Sequence, residues 1–536
     1  MTWCLSSVSM AGTGTDHKFF DFTFRATSEI PRPQGPTMRS RGGLGGVGAS
    51  LALVCHCAGA LVAGGQRALP LKIFEEWVDA SDYAESHVGG RWLLEKARGK
   101  DVTALFQAVH SMNEPKARAA LAQLPRLLEP LSSSTATGDD DRARGDHQSR
   151  SDVVFDLREA SAAMANTVTP SSALLMDSEL RRDLRSLVKD YFDGDVSRAK
   201  ATPVHWARTV AFLGLTLSCW SGWAQGDILA TFFLPFAHWL LAAHTCHDAT
   251  HGSLSSDPKI NYWAQFTAHP IFFNVFVWIP QHLISHHQYT NDALLDVDVH
   301  HFAPAVLSSS LKAENPEDKN AAWAFVVKGC LTTIGTCVLQ PMRTILDSKT
   351  TSFDCNITPV SEGVSKTAVA ISMLPSLAVM AYPFLHHFST AQDESLAALA
   401  FLFLWPWGGS SLIWTTMTQT SHVQESCQAQ EGDSNCWTAA QVAASLDYSV
   451  TGGTFERSLV AGLTGGLNMQ ALHHALPSIS QVHMAAIYND FADICDKRGA
   501  RRATSKNLAT AASECLDFVF ETNRPLPNEV LSTTKT

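Results

Sequence analysis

Three short histidine clusters carry the residues best suited to chemistry: His247-Asp-Ala-Thr-His251, His282-Leu-Ile-Ser-His286-His287 and Gln470-Ala-Leu-His473-His474. An i, i+4 spacing puts two imidazoles on one helix face, where both can grip one metal ion. A single pair of this kind is ordinarily surface or core. Three of them, each adjoining an apolar segment, point to a metal centre. Imidazole suits iron, copper, zinc and nickel, and a ligand set of this size exceeds the three or four protein ligands of one zinc. Two metal ions are the economical reading.

These clusters must be positioned by membrane helices. The chain has 536 residues, 45% hydrophobic and 17% charged, with a net charge of −11. The charge content is below the roughly 25% of soluble domains, and the acidic balance argues against a nucleic-acid partner. Twelve cysteines without framework spacing read as reduced thiols. Segments 209–226, 228–246, 367–385 and 395–416 are neutral and long enough to cross a bilayer, which takes roughly 20 helical residues. Positive charges at Arg181, Arg182, Arg185, Lys497, Arg498 and Arg501 lie outside the short loops, which places the clusters in the cytosol. If all clusters meet, an even number of spans separates them. Segment 260–281, carrying Pro270 and Pro280, is therefore interfacial or re-entrant, and 323–340 is excluded as a span by the same parity. The Trp and Phe residues of 262–278 suit either an apolar tunnel or an interfacial aromatic belt. The expected fold is mainly α: a polytopic membrane protein with four transmembrane helices in two hairpins and a cytosolic His-rich di-metal domain.

Together with Gly465-Gly466-Leu-Asn-Met-Gln470 and Leu476-Pro477, the three boxes resemble the membrane fatty acid desaturase family over about residues 203–495. The Gln at the head of the third box is similar to the front-end branch, which inserts a double bond between an existing one and the carboxyl end of a polyunsaturated acyl chain. The resemblance implies two iron ions, O2, and an acyl-CoA or phospholipid acyl substrate. It implies His247, His251, His282, His286, His287, His473 and His474 as ligands, with Gln470 as a weak one. A further ligand is expected after the last span, and His422 in Thr418-Gln-Thr-Ser-His422 fits it. Thr418 stands where related acyl-CoA enzymes carry an Asn. Asp248, Asp292, Asp296, Asp298 and Glu425 could orient imidazoles through their second nitrogen, with Asp248, inside the first box, foremost. His300-His301 is left unassigned.

Upstream, His87-Val-Gly-Gly90, Gly99-Lys-Asp101-Val-Thr103, Phe106 and His110-Ser111 resemble cytochrome b5, with Val88 in place of the usual Pro. The resemblance implies a small α+β domain in which His87 and His110 bind haem b axially. Bis-His ligation leaves no open site for oxygen, so such a haem passes single electrons, here from NADH through a cytochrome b5 reductase. The expected organisation is an uncertain, disordered leader over 1–69, the haem module over 70–124, a linker and amphipathic segment over 125–200, the membrane desaturase domain over 201–503 and a tail over 504–536. The expected location is the endoplasmic reticulum membrane. A sphingolipid desaturase or hydroxylase shares these boxes. A His-rich membrane metal transporter or electron carrier is the rival outside enzymes, but it should place ionisable ligands within its spans.

Overall fold

The structure is a computed structural model that describes residues 68–87, 89–127, 177–293, 295–314, 320–346, 365–390, 395–430, 433 and 436–524. The expected leader up to residue 67, the centre of the linker, Val88 and the end of the tail lie outside the described residues.

The chain enters as a β-hairpin. Strand β1 (Pro70–Ile73) pairs antiparallel with β2 (Glu76–Asp79), and Phe74 and Glu75 at the turn take positive φ of 52° and 67°. That sign at both central positions matches the right-handed twist of the flanking strands. Helices α1 (Arg91–Lys96), α2 (Thr103–Val109) and α3 (Glu114–Leu121) follow, and β3 (Arg126–Leu127) closes the sheet on β2. Leu69, Leu71, Val78 and Ala84 form its buried centre. After the linker comes α4 (Glu179–Tyr191), capped by Ser178, whose hydroxyl accepts from the Arg181 N–H. Its Leu180, Leu184 and Val188, one face at i, i+4, i+8, are buried against the C-terminal part of the chain.

The membrane part opens with the hairpin α5 (Pro203–Ala224) and α6 (Ile228–Thr250). The turn rests on Gly226 at φ 79° and on Asp227, which caps α6 by accepting from the Ala230 N–H. Helices α7 (Pro258–Ala264) and α8 (Val275–Pro280) come next, then α9 (Ala321–Gly329), α10 (Thr332–Leu346), α11 (Lys366–Thr390) and α12 (Leu396–Gln419). Indole and phenol donors tie the bundle to backbone carbonyls: Trp223 Nε1 to Leu402 O, Trp405 Nε1 to Phe232 O and Tyr382 OH to Ala224 O. Val210 and Leu229, each 67% exposed, face outward from α5 and α6.

Three helices, α6, α11 and α12, are long and apolar enough to cross a membrane, and the bent pair α9–α10, broken by 73°, makes a fourth if counted as one span. The sequence expectation placed its fourth span at α5 instead. With 22 residues α5 matches the others in length but not in apolarity, since it carries His205, Arg208 and a run of Thr, Ser and Gly. Segment 260–281 contains no continuous helix. It breaks into α7, a 3-10 turn (Gln265–Ala268) and α8; the helical run stops at His269, before Pro270, as a residue that cannot donate to the ladder favours, whereas Pro280 stays within helical structure.

The part beyond the candidate spans is completed by α13 (Trp437–Ala443), β4 (Leu446–Tyr448), α14 (Thr454–Thr464), α15 (Gln470–Ala475), α16 (Gln481–Lys497), β5 (Ala503–Ser505) and α17 (Leu508–Thr522), with β4 and β5 parallel. The eight described cysteines are all free thiols.

Close packing in the first hairpin supplies a test. A Cβ added to Gly222 would stand 2.3 Å from the Ala230 Cβ, whereas Gly214 on the same helix has nothing within 4 Å. Gly222→Ala should lower stability by about 1–3 kcal/mol, read as a drop in thermal midpoint in detergent. Gly214→Ala should leave the midpoint unchanged or raise it, since Ala outranks Gly in helices.

Candidate metal centre

Both of the first two boxes sit where a helix widens. Residues Ala243–His247 at the end of α6 are π-helical, as are Gln281–His286 at the end of α8. Such bulges are common at functional sites because one extra residue per turn re-aims the side chains. The third box is helix α15, whose first free N–H groups need an outside acceptor. Asp447 of β4 supplies it, accepting from Ala471 N at 2.8 Å and from the Tyr488 hydroxyl at 2.7 Å.

All eight imidazoles expected as ligands converge, in two groups. His247, His251, His282, His287 and His473 bring their ring nitrogens within 4.8 Å of one another, and so do His286, His422 and His474. The groups adjoin through His287 and His474, whose rings stack at 4.2 Å. His422 is delivered by the turn that follows α12.

In the second group each imidazole has its Nδ1 committed. His286 Nδ1 lies 3.1 Å from Asp296 Oδ2, His422 Nδ1 donates to Ala444 O at 3.0 Å, and His474 Nδ1 donates to Gln441 Oε1 at 3.1 Å. A ring whose Nδ1–H is spent in this way turns the Nε2 lone pair inward. In the first group His251 Nε2 and His287 Nε2 stand 3.0 Å and 3.2 Å from His282 Nε2. Three such nitrogens cannot each be satisfied by the others' protons, and His251 Nδ1, His287 Nδ1 and His473 Nε2 are buried without a partner. Burial, followed by the neighbouring rings, holds His251, His282, His287, His473 and His474 well below the ordinary imidazole range, and His422 at about 3. Buried, neutral nitrogen donors in this number are a donor set for two metal ions, and the clusters fit a di-iron site.

The acids are ranked differently from the sequence expectation. Asp248 does not orient an imidazole: its carboxylate accepts from the Ser480 hydroxyl at 2.5 Å, pinning the loop after the third box to the first. Asp296, fully buried, is the orienting acid, and it also accepts from the N–H groups of Asn291 and Asp298. Burial alone would depress His286, but Asp296 and Asp298 outweigh it and lift the ring to about 9. Asp292 accepts locally from Leu295 N and Glu425 is exposed. Asn291, at φ 60°, ties the second box to the His422 loop through His422 O and Ala444 O. Sequence reasoning missed Asn291, Gln441 and Asp447, since an isolated amide or acid far from a box carries no spacing signal.

Gln470 Nε2 lies 3.0 Å from His422 Nε2 and 3.2 Å from His474 Nε2, while its Oε1 has no partner. The same amide turned over would present that oxygen to the second group. Thr418 donates to Trp414 O and lines the cavity beside the two groups. Trp239, Phe273, Trp278 and Trp414 wall that cavity, with Trp278 stacked on His282 at 4.3 Å. His301 also lines it, 3.3 Å from Asp298, whereas His300 Nε2 is spent on Ala293 O.

In the amino-terminal module the rings of His87 and His110 lie with centroids 6.3 Å apart and planes inclined at 69°. Two metal–imidazole bonds of about 2 Å on either side of one iron would fill that span. His110 Nδ1 donates to Phe106 O at 2.7 Å, and His87 Nδ1 is buried without a partner. Burial, then His110, lowers His87 to about 4, so both rings are neutral. Gly90, at φ 86°, keeps the backbone close beside His87 where a side chain would strain it.

Residues 218–506 match the family model described as fatty acid desaturase. The chain is 27% identical over 466 residues to an acyl-lipid omega-13 desaturase of Chlamydomonas reinhardtii, covering 83% of this chain and 92% of that protein. It is 26% identical to an acyl-lipid (8-3)-desaturase of Mortierella alpina, over 59% of this chain and 71% of the relative. A probable Delta(5) fatty acid desaturase C of Dictyostelium discoideum is 22% identical, over 82% and 89%.

The carboxylate behind His286 predicts a measurable effect. Asp296→Asn should weaken iron binding about 10–100-fold, read by titrating the metal-depleted protein and counting bound iron. Glu425→Gln, at an exposed acid, should leave it unchanged.

Proposed function

The chain belongs to the membrane fatty acid desaturase family and is an oxygen-dependent oxidoreductase, and on that premise we propose that it is a front-end acyl-lipid desaturase supplied with electrons by its own cytochrome b5-like module. The observation that carries the proposal is the convergence of eight buried imidazoles, three of them with Nδ1 committed to Asp296, Ala444 O and Gln441. His247, His251, His282, His287 and His473 would hold one iron, and His286, His422 and His474, with Gln470 weakly, the other. When bound, such a pair supplies the oxidant that an unactivated methylene C–H bond requires, by reducing O2 to two waters with two electrons, two protons and two substrate hydrogens. The chain's own residues shape the reaction around it. Trp239, Phe273, Trp278 and Trp414 exclude water and present an apolar wall to an acyl chain. Asp296 keeps the Nε2 of His286 aimed and available.

The front-end assignment rests on Gln470 at the head of the third box, and relatives named as Delta(5) and acyl-lipid desaturases support it. The donor geometry of His87 and His110 supports haem b, reduced from NADH by a flavin-dependent cytochrome b5 reductase. The proposal keeps four spans, α5 joining α6, α11 and α12, with boxes and module on the cytosolic side of the endoplasmic reticulum membrane. It keeps the module at 70–124 and the desaturase domain at 201–503.

Expression in yeast fed polyunsaturated acids, with products identified, tests the reaction. The new double bond should lie between an existing one and the carboxyl end. His251→Ala, His286→Ala and His474→Ala should each abolish it and lower bound iron, and full activity in two of them overturns the assignment. His87→Ala or His110→Ala should remove the haem absorbance while leaving iron in place, with activity only partly restored by free cytochrome b5.

A further inference from the structure

The amino-terminal module does not hang free beside the membrane part. Lys96 of α1 reaches Val275 O at the start of α8 and lies over the Phe276 ring. Glu114 of α3, its side chain 5% exposed, pairs with Arg181 and Arg185 of α4, and Arg181 also donates to Gln107 O. Separating the surfaces would break both ion pairs and leave Glu114 only Arg118 of its own helix. Beside His110, the hydroxyls of Ser111 and Ser478 meet at 3.5 Å.

At the centre of this contact stand two residues that the metal groups do not need. Gln288 follows His287 directly and is 1% exposed. Its Oε1 accepts from Leu105 N on α2 at 3.4 Å, and its Nε2 donates to Asp101 O and Ile284 O. Trp437 buries its ring against Ala104 and Ala108 of α2 and donates from Nε1 to Gln288 O at 2.9 Å. One turn on from Trp437, Gln441 accepts from His474. Helix α2 runs directly into His110. A continuous covalent and hydrogen-bonded path therefore leads from His110 along α2 to Leu105, across to Gln288, and through one peptide bond to His287.

We propose that the module is permanently seated on the desaturase part and that Gln288 and Trp437 form its electron-entry contact, so that each electron crosses in place without the module moving. The proposal rests on the haem reading of His87 and His110. Each crossing oxidises a ferrous haem to ferric and delivers one electron, the reductase restores the haem from NADH, and two crossings serve one desaturation. Gln288 and Trp437 are positioning residues: they touch neither substrate nor the reacting atoms.

The test uses the full chain in lipid nanodiscs, loaded with haem and iron. Ser111→Cys with Ser478→Cys should form a disulfide on mild oxidation, since the two hydroxyl oxygens stand 3.5 Å apart across the contact. The locked chain should reoxidise ferrous haem, followed by stopped-flow absorbance with O2 and substrate, as fast as wild type. Gln288→Leu should slow that reoxidation at least tenfold while haem content, iron content and haem reduction by the reductase stay unchanged. Trp437→Phe, which keeps the packing and loses the Nε1–H, should give a smaller slowing. A failure to cross-link, a locked chain that no longer reoxidises, or a Gln288→Leu chain at the wild-type rate would each overturn the proposal. A wild-type chain without haem absorbance would overturn the haem reading and the electron role together, and is told apart by the spectrum alone.

Discussion

Everything in this structure is subordinate to keeping eight imidazoles dry and aimed at one another. Each ring nitrogen removed from water must be given a hydrogen-bond partner or a metal. The chain meets that condition unevenly. In the His286, His422 and His474 group, Asp296, Ala444 O and Gln441 take up the outer nitrogens. In the other group several outer and inner nitrogens have no protein partner. That imbalance is the physical reason the site reads as built for bound cations.

The architecture follows from delivering those rings from four separated segments. Helix α6 brings the first box, α8 the second, the end of α12 His422, and α15 the third. The π-helical stretches at the first two boxes rotate the rings into register, at the cost of regular backbone hydrogen bonds. The supporting acids are structural as much as electronic. Asp248 joins the first box to the loop after the third, and Asp447 caps α15 from β4. Losing either would loosen a box without touching a ring.

The membrane constrains the same elements from outside. Segment 260–281 brings the second box back beside the first, with His251 and His282 at 3.0 Å. A straight crossing there would part them by the thickness of the bilayer. Broken into short helices on either side of Pro270, the segment instead lends Phe273 and Trp278 to the cavity wall and a ledge on which the amino-terminal module rests.

The convergence of the box histidines and the spans at α6, α11 and α12 were legible in the sequence because they rest on local repeats: i, i+4 spacing and neutral runs of bilayer length. The pairing of His87 with His110 in space was suggested by their family pattern of Gly, Asp, Thr and Phe, and the fold brings the two rings together. The partition of the eight rings into five and three was not, since adjacent His286 and His287, and His473 and His474, enter different groups. Nor was the choice of Asp296 over Asp248 as the orienting acid, although both were in view. Neighbours in sequence point different ways on a helix, and a carboxylate ten positions away is brought near only by the turn at Asn291. Spacing determines which residues can share a helix face; only the packing of separate segments decides which face meets which.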